Sequence, residues 1–544
     1  ITLITHSGTV FDAMSQNNRD VHFNYVISSG NETALTVADY LRFVIHDPTT
    51  RVVACYLETV RDPAGFIAAL ELAAERQIPV VALKVGLSER GQKMAQAHTG
   101  ALAGGAEAHA ALFRRYGVLQ VRSLDEMMDT VELLSRVQQL PGRQMSVLME
   151  SGGERSLLAD HASELDLSFA ELTPATNQRL AEILEPGVVP DNPLDAFGTG
   201  HDVVGTYRES LLALHDDPHT DLLVLAVDLA RDSYLSQDYV EAALSACDQL
   251  SKPFVGLVNL TSGANEGLVA RLRANGIPML MGTETGLRAI RHLIAFNEFT
   301  SRPTATSEFL GRPAPDVVAD LREQLQQVNG PLDEHAAKAM LAVYGLTVTK
   351  EAVVHSAAEA VAAANRIGYP VVLKTAVSTI LHKSDVGGIH LYLADAQAVQ
   401  EAYRSLAGRL GTAVLVQEMV SGGVEMILGM THDPQFGPIV LVGMGGVFVE
   451  IYQDVLTVLP PLSRFTVEQL PRQLRGKALL EGVRGGTAVD HLALTETILR
   501  FSTFVTDLGD LLAEVDINPL KLHPSGAIIV DALIIPQQQD GKQD

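Results

Sequence analysis

Tryptophan is absent from the 544 residues, aromatic side chains make up only 5%, and cysteine occurs twice, as Cys55 and Cys247. Two cysteines with no Cys-x-x-Cys spacing exclude a disulfide framework or a thiolate zinc site as the basis of the fold, and they fit a reducing, cytoplasmic compartment. Basic charge is in deficit. Forty Lys and Arg against 65 Asp and Glu leave a formal charge of −25, a balance that repels phosphate backbones and argues against binding to nucleic acid or an anionic membrane. No apolar run approaches the ~20 residues that span a bilayer, and the N-terminus lacks the basic flank and cleavage pattern of a secretory signal. An initiator methionine is missing as well. Ile1-Thr2-Leu3-Ile4-Thr5 is already a buried-type strand, so the expectation is that a longer chain precedes it.

What is present is enough apolar surface for several cores: 47% of residues are hydrophobic, and at ~150 residues per domain the length suggests three to four domains. From 1 to about 140, β-type runs (Val52 to Tyr56, Pro79 to Leu83) alternate with helix-period segments (Pro63 to Glu75, Ala106 to Tyr116), the pattern of a parallel sheet wrapped by helices. The pattern restarts for 141–300 with Met145 to Met149, Leu222 to Val227 and Phe254 to Val258 as strands. Both units open as strand, Ser-Gly turn and helix, which suggests a duplicated architecture. Residues 301–329, with Pro303, Pro313 and Pro315, have the composition of a linker around one short helical stretch. Residues 330–536 begin with amphipathic helices, Glu334 to Tyr344 and Ser356 to Arg366, followed by short strands with hairpin-like turns, an α+β pattern; 537–544 is a polar tail.

Four stretches could carry chemistry. Gln96-Ala97-His98-Thr99-Gly100-Ala101-Leu102-Ala103-Gly104-Gly105 is a loop of small residues around one imidazole, just before a helix N-terminus, and its backbone N–H groups could approach phosphate. Taken alone, such a loop is more often a helix cap with a surface histidine. Ser151-Gly152-Gly153 opens the helix Glu154 to Leu165, with Leu157, Leu158, Ala162 and Leu165 expected inward, and offers a second helix dipole. A phosphorylated His98 needs an acceptor on its other ring nitrogen, and Glu58, at the end of the strand Val52 to Leu57, is the candidate. In the third domain no G-x-x-x-x-G-K-[ST] occurs, which excludes a P-loop. Instead, a buried strand ends in Lys374, a polar loop follows with His382, Lys383, Ser384, Gly387 and Gly388, and Val414 to Val420 runs into a hinge. There the backbone of Gln417, Glu418 and Val420 could meet an adenine edge, ahead of Glu425. Two final strands, joined at Pro524-Ser525-Gly526, bring Asn518 beside Asp531 as hard oxygen ligands of the kind Mg²⁺ takes when phosphates complete its shell.

Together these motifs resemble the ADP-forming acyl-CoA synthetases, relatives of succinyl-CoA synthetase, over nearly the whole chain. Ala97 to Gly104 looks like that family's phosphohistidine loop, Leu381 to Gly388 like its ATP-grasp signature, Glu514 to Leu520 like its metal-binding strand, and Asn192-Pro193-Leu194-Asp195 like a loop of its second domain. The resemblance implies two flavodoxin-like α/β domains followed by an α+β ATP-grasp domain. It also implies an acid–CoA ligase using ATP and Mg²⁺, with a carboxylic acid and CoA as substrates. An acyl phosphate would form from the acid, and His98, steadied by Glu58, would carry the phosphoryl group. Lys374 and Mg²⁺ on Asn518 and Asp531 would handle the nucleotide, and His382 would match a relay histidine of some members. An N-terminal CoA-binding domain, lying upstream or supplied by another chain, and pairing of subunits into a homo-oligomer are expected on the same ground. Glu150, Glu154 and Arg155 stand where the family implies small or neutral residues; Glu154 would repel a phosphate and Arg155 would offset it. A catalytically degenerate, nucleotide-binding regulatory protein is the reading of a different class, set against the intact group His98, Glu58, Lys374, Asn518 and Asp531. An ATP-grasp ligase forming amides would leave the His98 loop without a role.

Overall fold

The computed structural model describes residues 1–19, 21–88, 90, 105–197, 201–302, 307–377, 380, 383, 386–446, 454–483 and 487–538. They fall into two compact units, one of Ile1–Ala103 with Phe113–Arg302, the other of Gly104–Leu112 with Pro303–Asp544.

The first unit holds two parallel sheets. β1 (Thr2–Thr5), β2 (Tyr25–Ser28), β3 (Val53–Leu57), β4 (Val80–Lys84) and β5 (Leu119–Gln120) lie in the order β2-β1-β3-β4-β5, the flavodoxin-type doubly wound arrangement. Strands buried on both faces read as continuous apolar runs, and Leu3, Ile4, Val53, Ala54 and Cys55 are fully buried. Burial also pushes the Cys55 thiol up to about 12, so it is an inert core residue. In the second sheet, β6 (Gln144–Met149), β7 (Ser168–Phe169), β8 (Leu194–Asp195), β9 (Leu222–Ala226), β10 (Phe254–Val258) and β11 (Met279–Met281) run β11-β10-β9-β6-β7, with β8 paired to the C-terminal half of β6. Since β9 takes all of one edge of β6, β7 and β8 share the other, and the order of the first sheet recurs.

One core joins the two sheets, running from Leu3 and Val81 through Val131 to Val147, Val224 and Ile290. The helices Leu124–Arg136 and Thr283–Thr300 pack against each other within it. A charged pair crosses the same junction. Arg273 donates to both oxygens of Glu132 at 2.8 Å, with side-chain exposures of 5% and 3%. Glu132 also accepts the Met279 N–H at 2.8 Å. Asp129, fully buried, takes Arg19 at 2.6 Å and the Met281 N–H at 3.0 Å.

In the second unit, β12 (Glu351–Val354), β13 (Val371–Thr375), β14 (Ile389–Leu393) and β15 (Val414–Glu418) form an antiparallel sheet in the order β12-β15-β13-β14. The helices Ala357–Ile367 and Ala396–Leu410 cover it. A larger antiparallel sheet follows: β16 (Val424–Asp433), β17 (Gly437–Met444), β18 (Val455–Val458), β19 (Leu512–His523), β20 (Gly526–Ile529) and β21 (Ala532–Pro536), ordered β18-β17-β16-β19-β20 with β21 also on β19.

Two expectations are corrected. The short helical stretch expected within the 301–329 linker is a packed helix of 13 residues, Pro315–Gln327. Its Leu321 and Leu325 enter the core of the second unit, and its Arg322 bonds Asp510 at 2.6 Å, so apolar spacing outweighs the flanking prolines. Leu157, expected inward, is 47% exposed; on the helix Gly152–Glu164 only Leu158 and Ala162 are buried, because neighbours on a helix point ~100° apart. Among the described residues no helix is long and apolar enough to cross a membrane.

Candidate functional site

Ligands of parallel sheets gather outside the carboxyl ends of the strands, and Glu58 directly follows β3. Its peptide is fixed from both sides: its N–H donates to His6 Nδ1 at 2.8 Å, and its carbonyl accepts from Lys84 Nζ at 3.0 Å. Since Nδ1 is an acceptor, the His6 proton lies on Nε2, 3.0 Å from Glu32 Oε1, and both side chains are buried. Burial draws the Lys84 ammonium down to about 8, with the charge of Glu58 opposing. Glu58 is thus half-buried on an anchored turn, not a loose solvent-facing residue. His98, Thr99 and Gly100 lie outside the described residues. The helix expected after them, Ala106–Tyr116, is present with the foreseen bounds.

At the matching edge of the second sheet, Ser151 caps the helix Gly152–Glu164 by accepting the Glu154 N–H at 3.4 Å. Gly152 and Gly153, both exposed, form the first turn. The acids expected to disturb this turn cluster here. Glu150 accepts the Asp228 N–H, and Glu154 accepts Asn259 Nδ2 at 3.0 Å. Burial first, then the charges of Asp228 and Glu150, pushes Glu154 up to about 7, so near neutral pH much of its negative charge is absent. Arg155 does not offset it, being paired with Asp191. Asn192 ties β6 down, donating to the Met145 and Ala170 carbonyls at 2.9 Å and accepting the Val147 N–H at 3.0 Å.

A dense charge cluster lies in the second unit. Lys374, on β13, is 4% exposed, and its Nζ lies 2.7 Å from Glu334 Oε1 and 3.0 Å from Asp531 Oδ2. Lys383 Nζ reaches the other Glu334 oxygen at 2.5 Å and stands 3.9 Å from Asp531 Oδ1. Lys338, one helical turn after Glu334, is 2.8 Å from Glu334 Oε1 and is also paired with Glu351. Burial lowers the charge on Lys374, but Glu334 and Asp531 outweigh it and raise its pKa. Burial likewise raises Glu334, and the three lysines more than reverse this, holding its carboxyl well below the usual range. Neither Glu334, Lys338 nor Glu351 was expected from the sequence. The available signal was two charges four residues apart on the apolar face of a helix, where Ala337 and Leu341 are also buried.

The remaining nucleotide candidates divide. The Gly388 N–H bonds the Lys383 carbonyl at 2.7 Å, and its own carbonyl accepts the Thr375 N–H at 2.9 Å; Gly387 adopts φ +62°, a conformation glycine takes readily. These bonds tie Lys383 to the end of β13. His382 and Ser384 lie outside the described residues. Gln417 is corrected: it is 1% exposed, its Nε2 donates to Thr349 Oγ1 and the Val530 carbonyl at 2.8 Å, and its strand is flanked by β12 and β13, leaving no edge for a base. The Glu418 N–H is likewise taken, by the Lys350 carbonyl at 2.9 Å. Val420 follows the strand and is half-buried, and Glu425 sits 3.2 Å from Lys521.

Asn518 and Asp531 are neighbours, the Asn518 N–H donating to the Asp531 carbonyl at 3.3 Å. Asp516 nearby is pushed up to about 6 by burial, Glu514 and Asp531. Among the described residues no three His, Cys, Asp or Glu side chains could hold a metal ion by themselves. An oxygen-only pair that needs phosphates to complete the shell fits Mg²⁺.

Comparison with known proteins agrees with this layout. Residues 1–134 match the succinyl-CoA ligase like flavodoxin domain, and 323–535 match the ATP-grasp domain. The chain is 31% identical over 541 residues to acetate–CoA ligase [ADP-forming] I of Archaeoglobus fulgidus, covering 98% of this chain and 77% of that protein. It is 32% identical to a trans-feruloyl-CoA synthase from an unknown prokaryotic organism, with 96% and 74% covered. Among solved structures, a chain of the dinucleotide-forming acetyl-coenzyme A synthetase 1 of Ca. Korarchaeum cryptofilum is 37% identical over 41% of this chain and 99% of its own, with a TM-score of 0.38.

Proposed function

We infer the working of these sites from one premise: the chain belongs to the ADP-forming acyl-CoA synthetases, acid–CoA ligases that convert ATP to ADP and phosphate. ATP transfers its γ-phosphoryl group to His98 and leaves as ADP. The carboxylate of the acid takes that phosphoryl group to give an acyl phosphate and regenerate His98. The CoA thiol, losing its proton, attacks the acyl carbonyl and expels phosphate, forming the thioester.

The observation that carries the reading is the Lys374–Glu334–Lys383 cluster with Asp531, whose carbonyl accepts the Asn518 N–H. Two ammonium groups, Lys374 on β13 and Lys383 on the loop after it, are suited to the polyphosphate, because phosphoryl transfer is catalysed by positioning and charge neutralisation. Lys374 reaches the α- and β-phosphates, while Lys383, on the loop that Gly387 and Gly388 shape, closes on them. Val420 supplies backbone to the adenine edge in place of Gln417. Magnesium, held by Asn518 and Asp531 when bound, neutralises charge on the phosphates. In the first unit Glu58, its peptide clamped by His6 and Lys84, accepts from the ring nitrogen of His98 that carries no phosphate and so fixes the imidazole. The helix end at Ser151 receives phosphate, and Glu154 favours that only when protonated.

Relatives of similar identity are named for acetate and for ferulate, so the acid is set by pocket shape and not by family. The free thiols of Cys55 and Cys247 support a reducing, cytoplasmic setting, and self-association of the chain belongs to the same reading. The test is a panel of short, branched and aromatic carboxylic acids with ATP, Mg²⁺ and CoA. The expected products are acyl-CoA, phosphate and ADP; release of AMP and pyrophosphate refutes the chemistry.

A further inference from the structure

The two carboxylates that hold Lys374 are not equivalent. Glu334 has 3% side-chain exposure and Asp531 has 30%. Glu334 is itself braced: Lys338, with 1% side-chain exposure, bonds it from the next helical turn and is tied in turn to Glu351, Thr349 Oγ1 at 3.0 Å and the Val530 carbonyl at 3.1 Å. Among the described residues, the Asp531 carboxylate meets Lys374 and Lys383 and has no brace of that kind. Charges in the cluster balance, three lysines (Lys338, Lys374, Lys383) against three acids (Glu334, Glu351, Asp531). Only Asp531 among these acids is exposed enough to exchange partners. Once it turns to another partner, Lys374 and Lys383 are left with an unbalanced positive charge, still held by the one carboxylate of Glu334.

We propose that Glu334 is a positioning residue: its two oxygens set the spacing of Lys374 and Lys383, presenting them as a pre-formed clamp for the polyphosphate of a nucleoside di- or triphosphate. Without it, each lysine is a long side chain with several rotamers, and phosphate binding has to order both. Burial of Lys374 makes the loss worse, since a buried ammonium left with one exposed partner is free to follow Asp531. This rests on the nucleotide reading of the cluster given above.

The test compares full-length wild type, Glu334→Gln and Glu334→Asp, using ADP by titration calorimetry and adenosine, which lacks phosphates, by ligand-observed NMR. The expected result is a ten- to hundredfold loss of ADP affinity in E334Q, adenosine affinity within twofold of wild type, and partial recovery of ADP affinity in E334D. ADP affinity unchanged in E334Q overturns the proposal, as do ADP and adenosine weakened alike or an E334D variant no better than E334Q. If E334Q does not fold, E334D carries the same comparison: a loss confined to ADP supports the clamp, and an equal loss of both ligands, or none, refutes it. Failure of wild type to bind ADP at all refutes instead the nucleotide site itself.

Discussion

Removing Arg273 isolates a buried carboxylate at the junction of the two parallel sheets. Glu132 accepts three hydrogen bonds, two from Arg273 and one from the Met279 N–H, all at 2.8 Å. Arg273→Met keeps much of the apolar volume and leaves Glu132 with the Met279 N–H alone, at 3% side-chain exposure. Breaking one side of a buried ion pair costs about 3–5 kcal/mol, most of it the desolvation of the charge left behind. The double variant Glu132→Gln, Arg273→Met removes that charge while keeping an acceptor for Met279, and recovers about 2 kcal/mol of the loss. Chemical denaturation followed by circular dichroism measures both, with the first transition scored separately because chains of several domains unfold in steps. An R273M variant within about 1 kcal/mol of wild type, or a double variant no more stable than the single, refutes the reasoning. The sheets it joins bear the Glu58 turn and the Ser151 helix end on their strand ends, the two positions proposed above to meet the phosphohistidine.

Two further outcomes follow. Lys374→Met takes away the ammonium held between Glu334 and Asp531 and weakens ADP binding by about 2–5 kcal/mol, at least thirtyfold by calorimetry; a change below threefold counts against a phosphate-binding role. Glu154 binds its proton more tightly in the folded chain, at about 7 against an ordinary 4.5, so stability falls as pH rises from 4.5 to 7 and is level above that. Screening at this partly exposed site limits the effect to about 1 kcal/mol. Glu154→Gln therefore melts higher than wild type at pH 8 and equally at pH 4; equal melting at both values counts against it.

Much of the architecture was legible because periodicity dominates wherever one face is buried. The helices Pro63–Glu75 and Ala106–Tyr116 and the strands around Val53, Val80 and Met145 follow directly from apolar spacing and turn residues. Motif order led to Lys374, Asn518 and Asp531, and the structure brings these together. Side-chain partnerships at long range were not legible. Glu334 and Lys338 look like an i,i+4 surface pair, the commonest use of such spacing, and only the packing of the helix Glu334–Val343 against β21 and β12 buries them. Gln417 looked available to a base because a strand running into a glycine hinge does not reveal that it is an inner strand of its sheet. Leu157 was misplaced by one residue along its helix, and of the short helical stretch foreseen within 301–329 neither the 13-residue length nor the packing of Leu321 and Leu325 was foreseen.

The most direct measurement of the central claim is the fate of the γ-phosphate. Incubating the intact enzyme with γ-labelled ATP and Mg²⁺ is expected to place an acid-labile, base-stable label on His98, to release it as phosphate when the acid and CoA are added, and to give no label and no acyl-CoA with His98→Ala. Steady acyl-CoA formation with the His98 ring never labelled, or full turnover by the alanine variant, contradicts it.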